Sequence, residues 1–175
     1  IEDIAVGPGP VSGISYLYIG DIGGNAGTST SRPDVKIVRA PEPRVDLAFA
    51  SAPPTSDLSG VDSSTLRYPD GSSDAEALIF DPILRDLIVV TKDTSSTRVY
   101  RANVANVTND ATITLEFVTA LSFTDVSGGA ISPGGSQIIL RREGAAFEWS
   151  RCDNEPLQDA FQRTPQVVPV IGLPT

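Results

Sequence analysis

The chain has 175 residues, enough for one domain with a sizeable core and too few for two. Apolar residues make up 40% of the sequence and charged residues 20%, which indicates a folded chain. The net charge of −9 repels phosphates, so we expect neither nucleic acid nor an anionic membrane surface as a partner, and the charge serves solubility or cation binding. No stretch approaches the roughly 20 apolar residues of a membrane-spanning helix.

Short strands separated by turns follow one another along the chain, which contains 15 glycines and 14 prolines. The predicted strands lie within 2–10 and at 15–21, 34–40, 77–80, 86–93, 98–102, 112–118, 137–143, 145–150 and 166–170, with a short one from residue 129. The Pro-rich region 41–71 offers weak candidates at 45–49 and 66–68, and 154–163 fits a helical turn or a loop. No segment carries a sustained helical period, so the sequence predicts an all-β fold.

These strands recur in a similar order three times. The first strands of the three passages start near residues 2, 76 and 129, and four short strands in about 40 to 50 residues are typical of a β-propeller blade. We therefore predict about three four-stranded blades, at about 1–70, 71–122 and 123–175. A β-sandwich whose hairpins resemble one another by chance is the alternative.

The sequence also resembles a known group of proteins. The segments 2–9, 16–25, 68–78 and 131–135 are similar to those of secreted six-bladed propellers of the phytase-like and lactonase-like type. The resemblance implies a secreted, extracellular protein. The chain departs from the group at Gly24, Ala130 and Gly134, where the group usually has an acidic residue. These departures weaken any transfer of a metal site from the group to this chain.

Three blades cannot close a ring of six. An open propeller exposes strand edges that promote aggregation, so we expect adjoining blades of a longer chain, or copies of the same chain, as partners. Two copies would form a six-bladed ring, and joins that do not close would form a filament. The sequence starts at Ile1 without an initiator methionine or a recognisable signal peptide, which we interpret as a processed or excised portion of a longer protein.

Acidic residues stand at the predicted starts of two innermost strands, which line the channel of a propeller. Carboxylates that converge there repel one another unless a cation or protons neutralise them, and hard oxygen ligands favour Ca²⁺. The loop after residue 20 could add further oxygens. The candidate calcium ligands are Glu2, Asp3, Asp21, Asn25, Asp74 and Glu76. The alternative is that Asp21, Asn25 and Asp74 make only turn hydrogen bonds.

Two further features bear on modification. Cys152 is the only cysteine, so no disulfide can form within the chain, and an interchain bridge or a plain thiol remains open. Asn106 begins an Asn-Val-Thr sequon, which would be glycosylated in a secreted protein.

Catalysis is restricted because the chain contains no histidine. This excludes a Ser-His-Asp or Cys-His nucleophile within the chain. The first hypothesis is therefore a non-catalytic extracellular propeller module with a structural or interaction role. The alternative is a calcium-dependent, phytase-like hydrolase of phosphate or ester substrates, supported by the resemblance and by the channel carboxylates.

Overall fold

The computed structural model of the chain describes residues 1–24, 32–43 and 57–169. Within these ranges, thirteen strands and one helix follow one another. They are β1 (Asp3–Pro8), β2 (Ser15–Asp21), β3 (Asp34–Pro41), β4 (Asp62–Arg67), β5 (Ala75–Asp81), β6 (Asp86–Thr91), β7 (Thr97–Asn103), β8 (Thr112–Thr114), β9 (Glu116–Leu121), β10 (Val126–Ile131), β11 (Gln137–Arg142), β12 (Ala145–Ser150), α1 (Leu157–Gln162) and β13 (Gln166–Pro169). A 3₁₀ turn, Val104–Asn106, precedes β8.

The strands form three sheets, which we call blades. Blade 1 has the order β1-β2-β3-β4 with β8 added at its outer edge, blade 2 has the order β5-β6-β7-β9, and blade 3 has the order β10-β11-β12-β13. The innermost strands β1, β5 and β10 lie side by side, since Gly7 abuts the ring of Phe80 and Gly129 abuts the side chain of Ile79. Three four-stranded antiparallel sheets arranged in this way, one of them extended by the parallel strand β8, form part of a β-propeller, which confirms the predicted fold class.

The burial of each strand follows from the position of its blade. All six residues of β6 are buried because blade 2 is covered on both faces, and the central four residues, 87–90, form a continuous apolar run. In β2, buried Tyr16 and Tyr18 alternate with half-buried Leu17 and Ile19. Blade 1 is packed against blade 2 on one face only, so its strands show a two-residue period.

Apolar cores fill the two spaces between the blades. Tyr18 and Leu78 belong to the core between blades 1 and 2. Ile88 and Trp149 belong to the core between blades 2 and 3, to which α1 adds Phe161. The helix therefore closes the outer end of the second core.

The prediction of a single strand at 112–118 is wrong. The segment divides at Leu115 into β8, which pairs in parallel with β4, and β9, which pairs with β7. Leu115 is buried, and its backbone N–H donates to the carbonyl oxygen of Arg67 at 2.8 Å. The alternating pattern continues through the division because both halves are extended, although they belong to different sheets.

Other elements differ from the prediction at their ends. The strand expected from residue 129 begins at Val126. The sequence pattern does not show this start, because the first residues of the strand include a bulge and two glycines. The weak candidate at 66–68 is the end of β4, and the candidate at 45–49 lies outside the described residues. The segment 154–163 contains α1.

In the part of the chain that the structure describes, no helix is long and apolar enough to cross a membrane.

Candidate functional site

The predicted acidic residues lie at the start of β1 and β5, the innermost strands of blades 1 and 2. Asp3 contacts Leu78 and Gly7 contacts Phe80, so the two strands run side by side in the same direction. Glu2 and Asp74 immediately precede the two strands. The fold therefore brings carboxylates of two blades to one end of the innermost strands.

Glu2 and Asp74 hold the loop that follows β2. Oε2 of Glu2 accepts hydrogen bonds from the backbone N–H groups of Ile22 and Gly23, both at 2.7 Å. Oδ1 of Asp74 accepts from the N–H of Gly24. A Cβ on Gly23 would lie 2.7 Å from the Glu2 carboxyl carbon, so a larger residue there would displace the Glu2 carboxylate. The two carboxylates thus connect the loop of blade 1 to the starts of both innermost strands.

Asp3 and Glu76 also have partners within the chain. The carboxylate of Asp3 accepts from the N–H of Ile4 at 2.9 Å and from the N–H of Leu78 at 2.8 Å, which joins β1 to β5. Glu76 forms an ion pair with Lys92 of blade 2, with 3.3 Å between Oε1 and Nζ.

Asp21, at the end of β2, pairs with Arg32. Nη2 of Arg32 donates to Oδ1 of Asp21 at 2.7 Å and to its backbone oxygen at 2.8 Å. The hydrogen bond from Arg32 lowers the pKa of the Asp21 carboxyl below its ordinary value, so the carboxylate stays ionised at neutral pH. The residues around Asp21 in the sequence do not predict the pair with Arg32, because Arg32 lies eleven residues farther along the chain.

The described side chains do not converge as a metal site does. Among residues 1–24, 32–43 and 57–169, no three Cys, Asp or Glu side chains are grouped closely enough to hold an ion. Asn25, the sixth candidate ligand, lies outside the described residues. Calcium binding stays a prediction from the sequence, which calorimetric titration with calcium can test.

The candidate modification sites are on the surface. Asn106 is exposed at the end of the 3₁₀ turn after β7, where a glycan would meet solvent. Its glycosylation stays a prediction. Cys152 is an exposed thiol.

Blade 1 has one face that no described blade covers, which we call the open face of blade 1. Ile4 pairs with Ile19, which pairs with Val38, and Val6 pairs with Leu17, so these five side chains share this face. Ile4 is 54% and Val6 52% exposed, whereas the other three are half-buried. Sequence reasoning predicted exposed strand edges, but it did not identify this apolar face.

The open face of blade 3 has a different chemistry. Exposed Ile139 pairs with Glu148 across β11 and β12, and Gln137 and Arg141 flank it on the same face. Gln137 donates to Glu148 at 3.1 Å. Val168 of β13 shares this face through its pairing with Ala146, so the face mixes polar and charged side chains with aliphatic ones.

Comparison with known proteins supports the fold. Neither a family model nor a curated protein matches the sequence. A chain of the structure "COPII on membranes, outer coat vertex" is similar with a TM-score of 0.50 and 14% identity, over 94% of this chain and 37% of that one. A chain of "The structure of the COPII coat assembled on membranes" has the same TM-score and identity over 94% of this chain and 20% of that one.

A third similar structure, "Structure of Dos1 propeller", has a TM-score of 0.45 and 11% identity over 98% of this chain and 48% of that one. This chain therefore spans less than half the length of each of these three matched chains. At these identities the first two likenesses concern the fold alone. Together with the sheet topology, they show that the chain forms part of a β-propeller.

Proposed function

We propose that this chain is a non-catalytic propeller module that binds other protein surfaces and is completed by further blades. Those blades come from copies of the chain or from adjoining parts of a longer one. The extracellular location in this proposal rests on the resemblance of the sequence to secreted propellers.

The open face of blade 1 is the observation that carries the proposal. Its five aliphatic side chains occupy the same strand positions at which blade 2 packs against blade 1. Contiguous exposed apolar surface of this kind is typical of interaction sites. Burying Ile4 and Val6 completely would contribute about 0.8 to 1.5 kcal/mol each to a complex, because both are roughly half exposed now.

Substitution of Val6 tests the proposal. Sedimentation velocity and binding of a fluorescent apolar dye should show either self-association or dye binding for the unmodified chain. Val6→Lys should abolish whichever is seen, because an ammonium group then stands in the apolar face. Val167→Lys on β13 is the matched control, since Val167 is 58% exposed and lies outside this face. A chain that neither associates nor binds the dye would contradict the proposal.

The alternative, a calcium-dependent hydrolase, stays a prediction from the sequence. The described carboxylates at the channel end are engaged by backbone N–H groups or by cations of the chain itself, so no described contact favours it.

A further inference from the structure

A polar cavity lies between blade 2 and the crossing from β8 to β9. Its volume is about 340 Å³, and its lining includes Leu84, Asp86, Arg101, Asn106, Ile113 and Glu116. β9 pairs with β7 in the sheet of blade 2, whereas β8 pairs with β4 in the sheet of blade 1. The cavity is the space that this change of sheet leaves between β7 and β8. The volume falls within the range of small-molecule sites.

Asp86 is the buried charged group of this cavity. The residue is 5% exposed, and Oδ1 accepts a hydrogen bond from Nδ2 of Asn103 at 2.9 Å. Oδ2 lies 3.7 Å from Nη1 of Arg101, beyond hydrogen-bond distance. Among the described residues, Oδ2 accepts no hydrogen bond. Burial raises the pKa of the Asp86 carboxyl, as expected for an anion with incomplete solvation.

Arg101 is already committed to another carboxylate. Nε of Arg101 donates to Glu116 at 3.1 Å and Nη2 donates at 2.7 Å, in a bidentate pair. Arg101 forms only a longer ion pair with Asp86, at 3.7 Å, so its hydrogen bonds go to Glu116 and not to Asp86.

The charges of the cavity do not balance. Two carboxylates, those of Asp86 and Glu116, face one guanidinium, that of Arg101. A buried carboxylate is costly unless a cation and hydrogen bonds compensate it. Leu84 and Ile113 add aliphatic wall beside these charges. A cationic head on an apolar stem fits both parts of the lining.

We propose that this cavity binds a primary ammonium group on an aliphatic stem, with Oδ2 of Asp86 accepting its hydrogen bond and Leu84 and Ile113 contacting the stem. The group belongs either to a free alkylamine or to a lysine side chain of a bound protein. The net charge of −9 raises the concentration of cations near the chain and favours their entry. No residue of the open face of blade 1 lines this cavity, so the site is independent of blade completion.

Titration followed by nuclear magnetic resonance tests the proposal on the unmodified chain. n-Butylammonium and lysine amide with an acetylated α-amino group should each cause saturable shifts of the backbone amides of Ala102 and Ile113, whereas n-butanol should not. Tighter binding of n-butylammonium supports a free amine as the ligand, and tighter binding of the capped lysine supports a protein side chain. No saturable shift with either probe, or equal shifts with n-butanol, would overturn the proposal.

A pair of variants tests the role of Asp86. Asp86→Asn keeps an acceptor for Asn103 and should weaken binding of n-butylammonium at least tenfold. Asp153→Asn changes the net charge equally at an exposed position outside the cavity and should leave binding unchanged. Equal affinity of Asp86→Asn and the unmodified chain would overturn the proposal. If Asp86→Asn does not fold, the shifts of Ala102 and Ile113 in the unmodified chain still decide it.

Discussion

Substitution of Arg151 should strongly destabilise the packing of blade 3 against blade 2. Arg151 follows β12 and Asp81 ends β5, and Nη1 of Arg151 lies 2.8 Å from Oδ1 and 2.9 Å from Oδ2 of Asp81. Both side chains are 0% exposed. Removal of one partner of a buried ion pair costs about 3 to 5 kcal/mol because the other charge remains buried.

Two details of the contact refine this magnitude. Oδ1 of Asp81 also accepts from the N–H of Ile83 at 2.9 Å, so the carboxylate keeps a donor when the cation is removed. Nη2 of Arg151 is buried without a partner among the described residues, which reduces the stabilisation that the pair provides. We therefore expect Arg151→Met to lower the free energy of unfolding by about 3 to 4 kcal/mol. For a chain of this size, that corresponds to a decrease in Tm of about 6 to 16 °C.

Urea denaturation measures this loss. Trp149, the only tryptophan, is buried in blade 3 and reports that blade by fluorescence, while circular dichroism reports all three blades. Arg67→Met is the matched control, because it removes a solvent-exposed pair with Asp34 and should leave the stability nearly unchanged. A loss below about 1 kcal/mol for Arg151→Met would refute burial of the ion pair in solution.

Two further predictions concern close packing and acid stability. Gly7→Ala should destabilise the chain by about 1 to 3 kcal/mol in the same assay, because the new Cβ would lie 2.5 Å from the Phe80 ring. Gly128→Ala is the control, since a Cβ at Gly128 would have open space around it. Equal losses of stability in the two variants would contradict the packing of Gly7 against Phe80. Arg163, and then the backbone N–H of Cys152, lower the pKa of Glu155 from 4.5 to about 2. Since the folded pKa lies below the unfolded one, the stabilisation is present above pH 4.5 and is lost as the pH falls to about 2. Glu155→Gln should therefore lower Tm at pH 7 but not at pH 2, and a difference that is constant over this range would contradict the prediction.

Local patterns in the sequence predict most of the strands, for a physical reason. The alternation at Ser15–Asp21 and the apolar run at Asp86–Thr91 reflect one covered face and two covered faces, respectively. The pattern fails at Leu115, because alternation reports which side chains are buried and not which sheet accepts the backbone hydrogen bonds. Parallel pairing of β8 with β4 depends on residues that are distant in sequence.

The candidate site shows the same limit. Glu2 and Asp74 can be placed at the start of innermost strands from the repeat, but their partners are backbone N–H groups, which leave no trace in the sequence. Asp86 appears in the sequence only as the first residue of the predicted strand 86–93. The cavity beside it lies where the chain passes from the sheet of blade 1 to that of blade 2 at Leu115, which the sequence does not indicate.

The two open faces also restrict how blades can be added. A ring or a filament of copies requires that the open face of blade 3 pack against the open face of blade 1. That join places Arg141 and Glu148 against an aliphatic face, and burial of such charged side chains carries a desolvation penalty that their mutual attraction does not fully offset. The open face of blade 1, in contrast, loses only water when an apolar face covers it. Association is therefore expected to begin at blade 1, and copies that meet through this face alone form a closed pair, since one self-complementary face cannot propagate a filament.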